Sequence, residues 1–142
     1  MLIKVAETKD IKMVRSINYN SNFNKRTGYF ECWGKTKSDD PVMAPSPELF
    51  DIEITTICNG VRGRLCPWCY KANTNKGTYM SFEIFKRLMD KLPKMCLTQI
   101  AYGLDATCTS NPDWFKIFKY TREQGIVPNV TVADITEYTA DK

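Results

Sequence analysis

The chain contains no histidine among its 142 residues. That absence excludes Ser-His-Asp and Cys-His catalysis, histidine-rich zinc enzymes and Cys2His2 fingers from being built by this chain alone. Long apolar runs are missing too. The opening MLIKVAETKDIKMVRSINYN holds no signal-peptide core, and no stretch reaches transmembrane length. The charge excess is small, +4 from 20 basic and 16 acidic residues. It falls short of the concentrated basic face of a dedicated nucleic-acid binder, so nucleic acid is not indicated as a partner. Internal repeats and low-complexity tracts are absent as well. These gaps lead to the expectation of a cytoplasmic protein with no membrane partner and with reduced cysteines. In that compartment clustered cysteines more often hold metal or carry redox chemistry than form staples.

What is present is a cluster of that kind. Three of the six cysteines lie in CNGVRGRLCPWCY, as Cys58, Cys66 and Cys69. Three is an awkward count, since a disulfide takes two thiols and a structural zinc site closes with four ligands.

The length suits one domain with a single core, and 43% hydrophobic and 25% charged residues are ordinary globular values. Residues 1–48 read as an irregular N-terminal extension and loop, with one strand, Tyr29–Trp33, after the turn signal Arg26-Thr27-Gly28. The segment KTKSDDPVMAPSPE, residues 35–48, carries three prolines and reads as a connection. The aromatic and basic residues before it admit nucleic-acid contact or a packing arm over the core, and the packing arm is the simpler reading.

Residues 49–142 read as the core domain. Phe50–Ile57 alternates apolar with polar and is rich in β-branched residues, the pattern of a strand. Ser81 is a plausible N-cap, followed by Phe82, Phe85, Leu88, Met89 and Leu92 at helical spacing and by Pro93 as a stop. Leu97–Gly103 reads as a second strand. Asn111, Pro112 and Asp113 open a second helix carrying Trp114, Ile117, Phe118 and Thr121 on one face, with Gly125 at its end. Val127–Ala133 reads as a third strand. Alternating strands and helices predict an α/β fold with a parallel sheet and right-handed crossovers.

In such folds ligands sit beyond the C-terminal ends of the strands, where Cys58 falls. The unit Cys66-Pro67-Trp68-Cys69 lets two thiolates face one metal centre, as in zinc knuckles and iron–sulfur sites. Two readings stay open here. A zinc-binding module without enzymatic activity needs a fourth ligand. Cys96 precedes the second strand and so lies at the wrong end of the sheet, whereas Cys108 follows it on the correct side. A [4Fe–4S] cluster on three thiolates needs no fourth, and leaves one iron open. A buried, inert thiol is the ordinary fate of a residue such as Cys108.

The arrangement resembles the radical S-adenosylmethionine (radical SAM) superfamily, which commonly shows Cys-Asn-x-x-Cys-x-aromatic-Cys-Tyr after a first strand. Tyr79-Met-Ser-Phe-Glu83 leads into a helix as in that family. Tyr102-Gly-Leu-Asp105 ends the second strand where the family often has Gly-Gly-Glu. The likeness covers residues 50–135, and the wording is most similar to uncharacterised radical SAM proteins of tailed phages and some bacteria. It implies a partial (β/α) barrel of about three parallel strand–helix units. It also implies cluster ligation by Cys58, Cys66 and Cys69, with S-adenosylmethionine on the open iron against Trp68, Tyr70, Gly103, Leu104 and Asp105. Reductive cleavage to a 5′-deoxyadenosyl radical, fed by an external low-potential electron donor, is the implied chemistry. No catalytic residue is assigned, and the host cytoplasm is the implied location if the gene is phage-borne.

Two features depart from the family pattern. Seven residues separate Cys58 from Cys66 where three are usual, and the surplus holds Gly60, Gly63, Arg62 and Arg64. Those arginines read either as positive charge near an anionic cluster or as solvated surface. The chain also shows three strands where a full core has six, which leads to the expectation of a truncated or split enzyme, completed by a C-terminal half or by self-association.

Overall fold

Short strands with little apolar alternation occupy the first 33 residues. The computed structural model describes residues 2–61, 63–64, 66–69 and 76–132. Within them β1 (Lys4–Glu7), β2 (Ile11–Arg15), β3 (Asn20–Asn24) and β4 (Phe30–Trp33) form an antiparallel sheet in sequential order. The irregular extension expected there is thus corrected to a four-stranded sheet; only its last strand was anticipated.

The physical reason lies in which side chains the sheet buries. On β2 the buried positions are Lys12 and Val14, while Ile11 and Met13 are half-buried. A buried lysine hides the period-2 signal. Lys12 is accommodated because its Nζ donates to the carbonyls of Lys94 (2.8 Å) and Leu97 (2.9 Å) and pairs with Glu7 at 3.4 Å. β3, with the sequence NSNFN, is rich in a residue depleted from strands. Pairing on both flanks holds it, and the Asn20 amide donates to the Gly34 carbonyl at 2.6 Å. Side chains close the turns: Thr8 Oγ1 accepts from the Ile11 N–H, and Asn24 Oδ1 from the N–H groups of Arg26 and Thr27. Residues 35–48 form the expected connection.

The second sheet is parallel, in the order β5 (Leu49–Asp51), β6 (Gln99–Tyr102), β7 (Val127–Val130), with helices α1 (Phe82–Lys91) and α2 (Trp114–Glu123) between its strands. The strand–helix alternation predicted from sequence is therefore present. The sheet is open, and the described residues close no barrel. β5 is shorter than the expected Phe50–Ile57. Beyond Ile52, whose N–H still reaches the Ala101 carbonyl, the chain pairs instead with the segment before α1. Thr55 bridges Tyr79 in antiparallel sense, and the Met80 N–H donates to the Ile54 carbonyl. β7 ends at Val130, and Ala133 lies outside the described residues.

Both helices start and stop as their sequences direct. Ser81 Oγ accepts from the Ile84 N–H, and Asn111 Oδ1 from the Asp113 N–H. At the end of α2 the Gly125 N–H returns to the Arg122 carbonyl and the Ile126 N–H to that of Thr121, a Schellman closure with Gly125 at φ +76°. None of the described helices is long and apolar enough to cross a membrane.

Contacts divide the chain into two units. One comprises Met1–Phe50, Leu92–Ile100 and Thr121–Val127; the other comprises Asp51–Lys91, Ala101–Tyr120 and Pro128–Lys142. In the first, Val14, Tyr19 and Cys96 are buried together, with Ile3 and Ala44 against them. In the second, Ile54, Phe85, Met89, Tyr102 and Ile117 are buried. There Tyr102 lies between the rings of Phe85 (6.1 Å) and Phe118 (4.9 Å). That aromatic layer anchors the end of β6, from which the candidate site departs.

Candidate cofactor site at the cysteine loop

The parallel strands end in turns, and those turns shape a cavity within the second unit. After Tyr102 the chain passes through Gly103 at φ +93°, a conformation costly for any residue with a Cβ. A Cβ there would also stand 3.0 Å from the Thr131 carbonyl oxygen and 3.3 Å from that of Ala106. Glycine therefore lets the turn after β6 lie close against the chain leaving β7. The Thr131 N–H donates to the Tyr102 carbonyl at 3.2 Å, joining the same two segments. Glu53 holds the turn from below, its Oε2 accepting the Asp105 N–H at 2.6 Å.

The cysteine loop faces these turns. Cys66 and Cys69 are joined by a turn in which the Cys69 N–H donates to the Cys66 carbonyl at 3.1 Å, leaving Pro67 and Trp68 at its tip. Cys58 is half-buried, and its Sγ accepts from the Gly60 N–H at 3.4 Å. Between them, Val61 and Arg64 exchange two backbone hydrogen bonds of 2.9 Å. The surplus in the spacing is thus spent in a small self-paired turn that brings the chain back. Arg64 is exposed and does not line the cavity; Arg62 and Tyr70 lie outside the described residues.

One cavity of about 280 Å³ collects these elements. Its walls include Cys58, Cys66, Cys69 and Trp68 from the loop and Gly103, Leu104 and Asp105 from the turn. Every described residue singled out for cluster or cofactor contact therefore borders the same space. Sequence reasoning missed Ala106 and Thr107, which follow on the same turn, and Thr131 and Val132 beyond β7. The position of Thr131 and Val132 past a parallel strand was the available signal. It also missed Glu53, hidden among the polar positions of a strand.

Exposure divides the walls by chemistry. The three thiols are half-exposed, so they are reachable without unfolding. Trp68 is 91% exposed and Leu104 54%, so both bring apolar surface to the cavity that solvent can reach. Asp105 supplies a carboxylate, and the other described residues of the lining are uncharged. Cys108 is fully buried in a single 3-10 turn and is not part of the lining. Cys32 is exposed on β4 and Cys96 is buried in the first unit.

Among the described residues no three Cys, Asp or Glu side chains converge on a point suited to one metal ion. Comparison with protein-family models, with curated proteins and with solved structures finds no match to this chain.

Proposed function

We propose that the chain is a radical SAM iron–sulfur protein. On this reading Cys58, Cys66 and Cys69 hold a [4Fe–4S] cluster, and S-adenosylmethionine lies against Trp68, Gly103, Leu104 and Asp105. The observation that carries the reading is the convergence of those seven residues, drawn from two distant stretches of sequence, on one cavity beyond the parallel strands. Three reachable thiols and a glycine turn with no room for a side chain support it.

When bound, the cluster supplies the electron for reductive cleavage of S-adenosylmethionine to a 5′-deoxyadenosyl radical. The chain's own part is positioning. The Trp68 indole offers a broad apolar face for a planar base, and Leu104 adds apolar surface to the same cavity. Gly103 keeps backbone polar groups approachable, and the Asp105 carboxylate provides an acceptor for an ammonium group. Glu53, by fixing the Asp105 N–H, holds that acceptor's backbone in place.

Anaerobic reconstitution with iron and sulfide, followed by assay for 5′-deoxyadenosine under a low-potential reductant, tests the proposal. A broad brown visible absorbance is expected, lost in Cys58→Ser, Cys66→Ser and Cys69→Ser and kept in Cys108→Ser. One equivalent of zinc without sulfide-bound iron, together with dependence on Cys108, would instead establish a zinc-binding module on Cys58, Cys66, Cys69 and Cys108.

A further inference from the structure

A second cavity, in the first unit, has a different chemistry. It measures about 320 Å³ and is bordered by Lys9, Asp10, Lys25, Arg26, Arg122 and Gly125. Four cationic side chains thus face one space against a single carboxylate in its wall. The arrangement is assembled from three places in the sequence. The turn between β1 and β2 brings Lys9 and Asp10, and the turn between β3 and β4 brings Lys25 and Arg26. The two turns are tied by the Lys25 N–H, which donates to the Asp10 carbonyl at 2.8 Å. Arg122, in the last turn of α2, donates from Nη1 to the Lys25 carbonyl at 3.2 Å.

The charge is only partly answered by the protein. Lys25 is buried, and its Nζ pairs with Glu7 Oε1 at 2.6 Å and donates to the Thr8 carbonyl at 3.1 Å. An ammonium has three protons to donate, so one remains beyond these two. Among the described residues no carboxylate forms an ion pair with Lys9, Arg26 or Arg122. Gathering like charges this way favours the entry of an anion. Gly125 keeps the entrance clear: a Cβ there would stand 3.2 Å from Lys25 Nζ and from Glu7 Oε1. The absent side chain leaves the buried ammonium reachable from the cavity.

We propose that this cavity binds a small polyanion of the pyrophosphate class, a diphosphate or a ligand bearing one. Guanidinium groups from Arg26 and Arg122 suit bidentate contact with phosphate oxygens, and the lysines add point charge. A concave site with its cations confined to one pocket fits a compact anion rather than a nucleic-acid strand, which needs an extended basic track. The proposal does not rest on the cluster reading, because the two cavities share no residue.

The test is calorimetric titration of the full chain with inorganic pyrophosphate, with inorganic phosphate and a short single-stranded oligonucleotide run in parallel. Saturable one-site binding of pyrophosphate is expected, weaker for phosphate and reduced by added salt. Arg122→Gln and Arg26→Gln are each expected to weaken it about tenfold, the loss of one charge-assisted contact. Lys9→Gln, at an exposed position, provides a third variant expected to weaken binding should Arg122→Gln disturb the helix end. The same affinity is expected with and without a reconstituted cluster. The proposal is overturned by absence of saturable heat, by unchanged affinity in Lys9→Gln and Arg26→Gln, or by an oligonucleotide that displaces pyrophosphate.

Discussion

Asn111 shows how much a single side chain can hold together in this protein. Sequence identifies it as a helix cap, and its Oδ1 does accept from the Asp113 N–H at 2.8 Å. Its amide nitrogen does more, donating to the Ile54 carbonyl at 2.7 Å and the Met80 carbonyl at 2.9 Å while the residue is fully buried. It therefore satisfies the backbone where the chain leaves β5 and where it enters α1. Asn111→Ala is expected to cost about 1–3 kcal/mol, from a lost cap and two lost amide hydrogen bonds, the Ile54 carbonyl keeping its bond from the Met80 N–H. Asn111→Asp keeps the cap but turns a carboxylate oxygen toward both carbonyls, so it should be at least as destabilising in urea unfolding. Recovery of stability in the Asp variant would assign the residue to capping alone. The cap was legible because it is local. The other two bonds span 57 and 31 residues and have no signature in the sequence.

At the scale of elements, the helices were read well and the first sheet was not. α1 and α2 carry their own start and stop chemistry, and their apolar faces recur at 3.6-residue spacing. β2 and β3 carry buried lysine and asparagine, made tolerable by backbone carbonyls outside the strands, those of Lys94 and Leu97 for Lys12 and of Gly34 for Asn20. The start of α2 also yields a pH prediction. Asp113 accepts from Lys116 Nζ at 2.9 Å and from the Phe82 N–H at 3.2 Å. These bonds, the Lys116 one first, hold its carboxyl below the usual aspartate value. A lowered folded-state pKa means its contribution is fully present above the unfolded pKa and disappears as pH falls through the folded one. Thermal unfolding followed from about pH 5 to pH 2 should show a shallower acid limb for Asp113→Asn than for the wild type. Parallel limbs would remove Asp113 from the acid response.

For the whole molecule, the proposed cofactor chemistry has a thermodynamic consequence. A ligand bound only by the folded state stabilises it by mass action, about 2.7 kcal/mol at a hundredfold excess over Kd. Added S-adenosylmethionine is therefore expected to raise the unfolding temperature of the reconstituted protein. Cys58→Ser should abolish that increment while leaving the cluster-free protein's own stability within about 0.5 kcal/mol, since Cys58 is only half-buried. An equal rise in the variant would detach cofactor binding from the thiols.

Sequence by itself determined the strand–helix alternation of residues 50–130, both helix starts, the Gly125 stop and the cysteines worth testing as metal ligands. Each of these rests on local chemistry: caps, periodicity, and cysteines two residues apart. Tertiary structure alone decided the four-stranded sheet, the shortening of β5, and the self-paired turn of Val61 and Arg64 that absorbs the long cysteine spacing. It also decided the gathering of Lys9, Lys25, Arg26 and Arg122 around one cavity. Those outcomes depend on hydrogen bonds and charges between residues far apart in the chain, whose partners are chosen only when the backbone closes on itself.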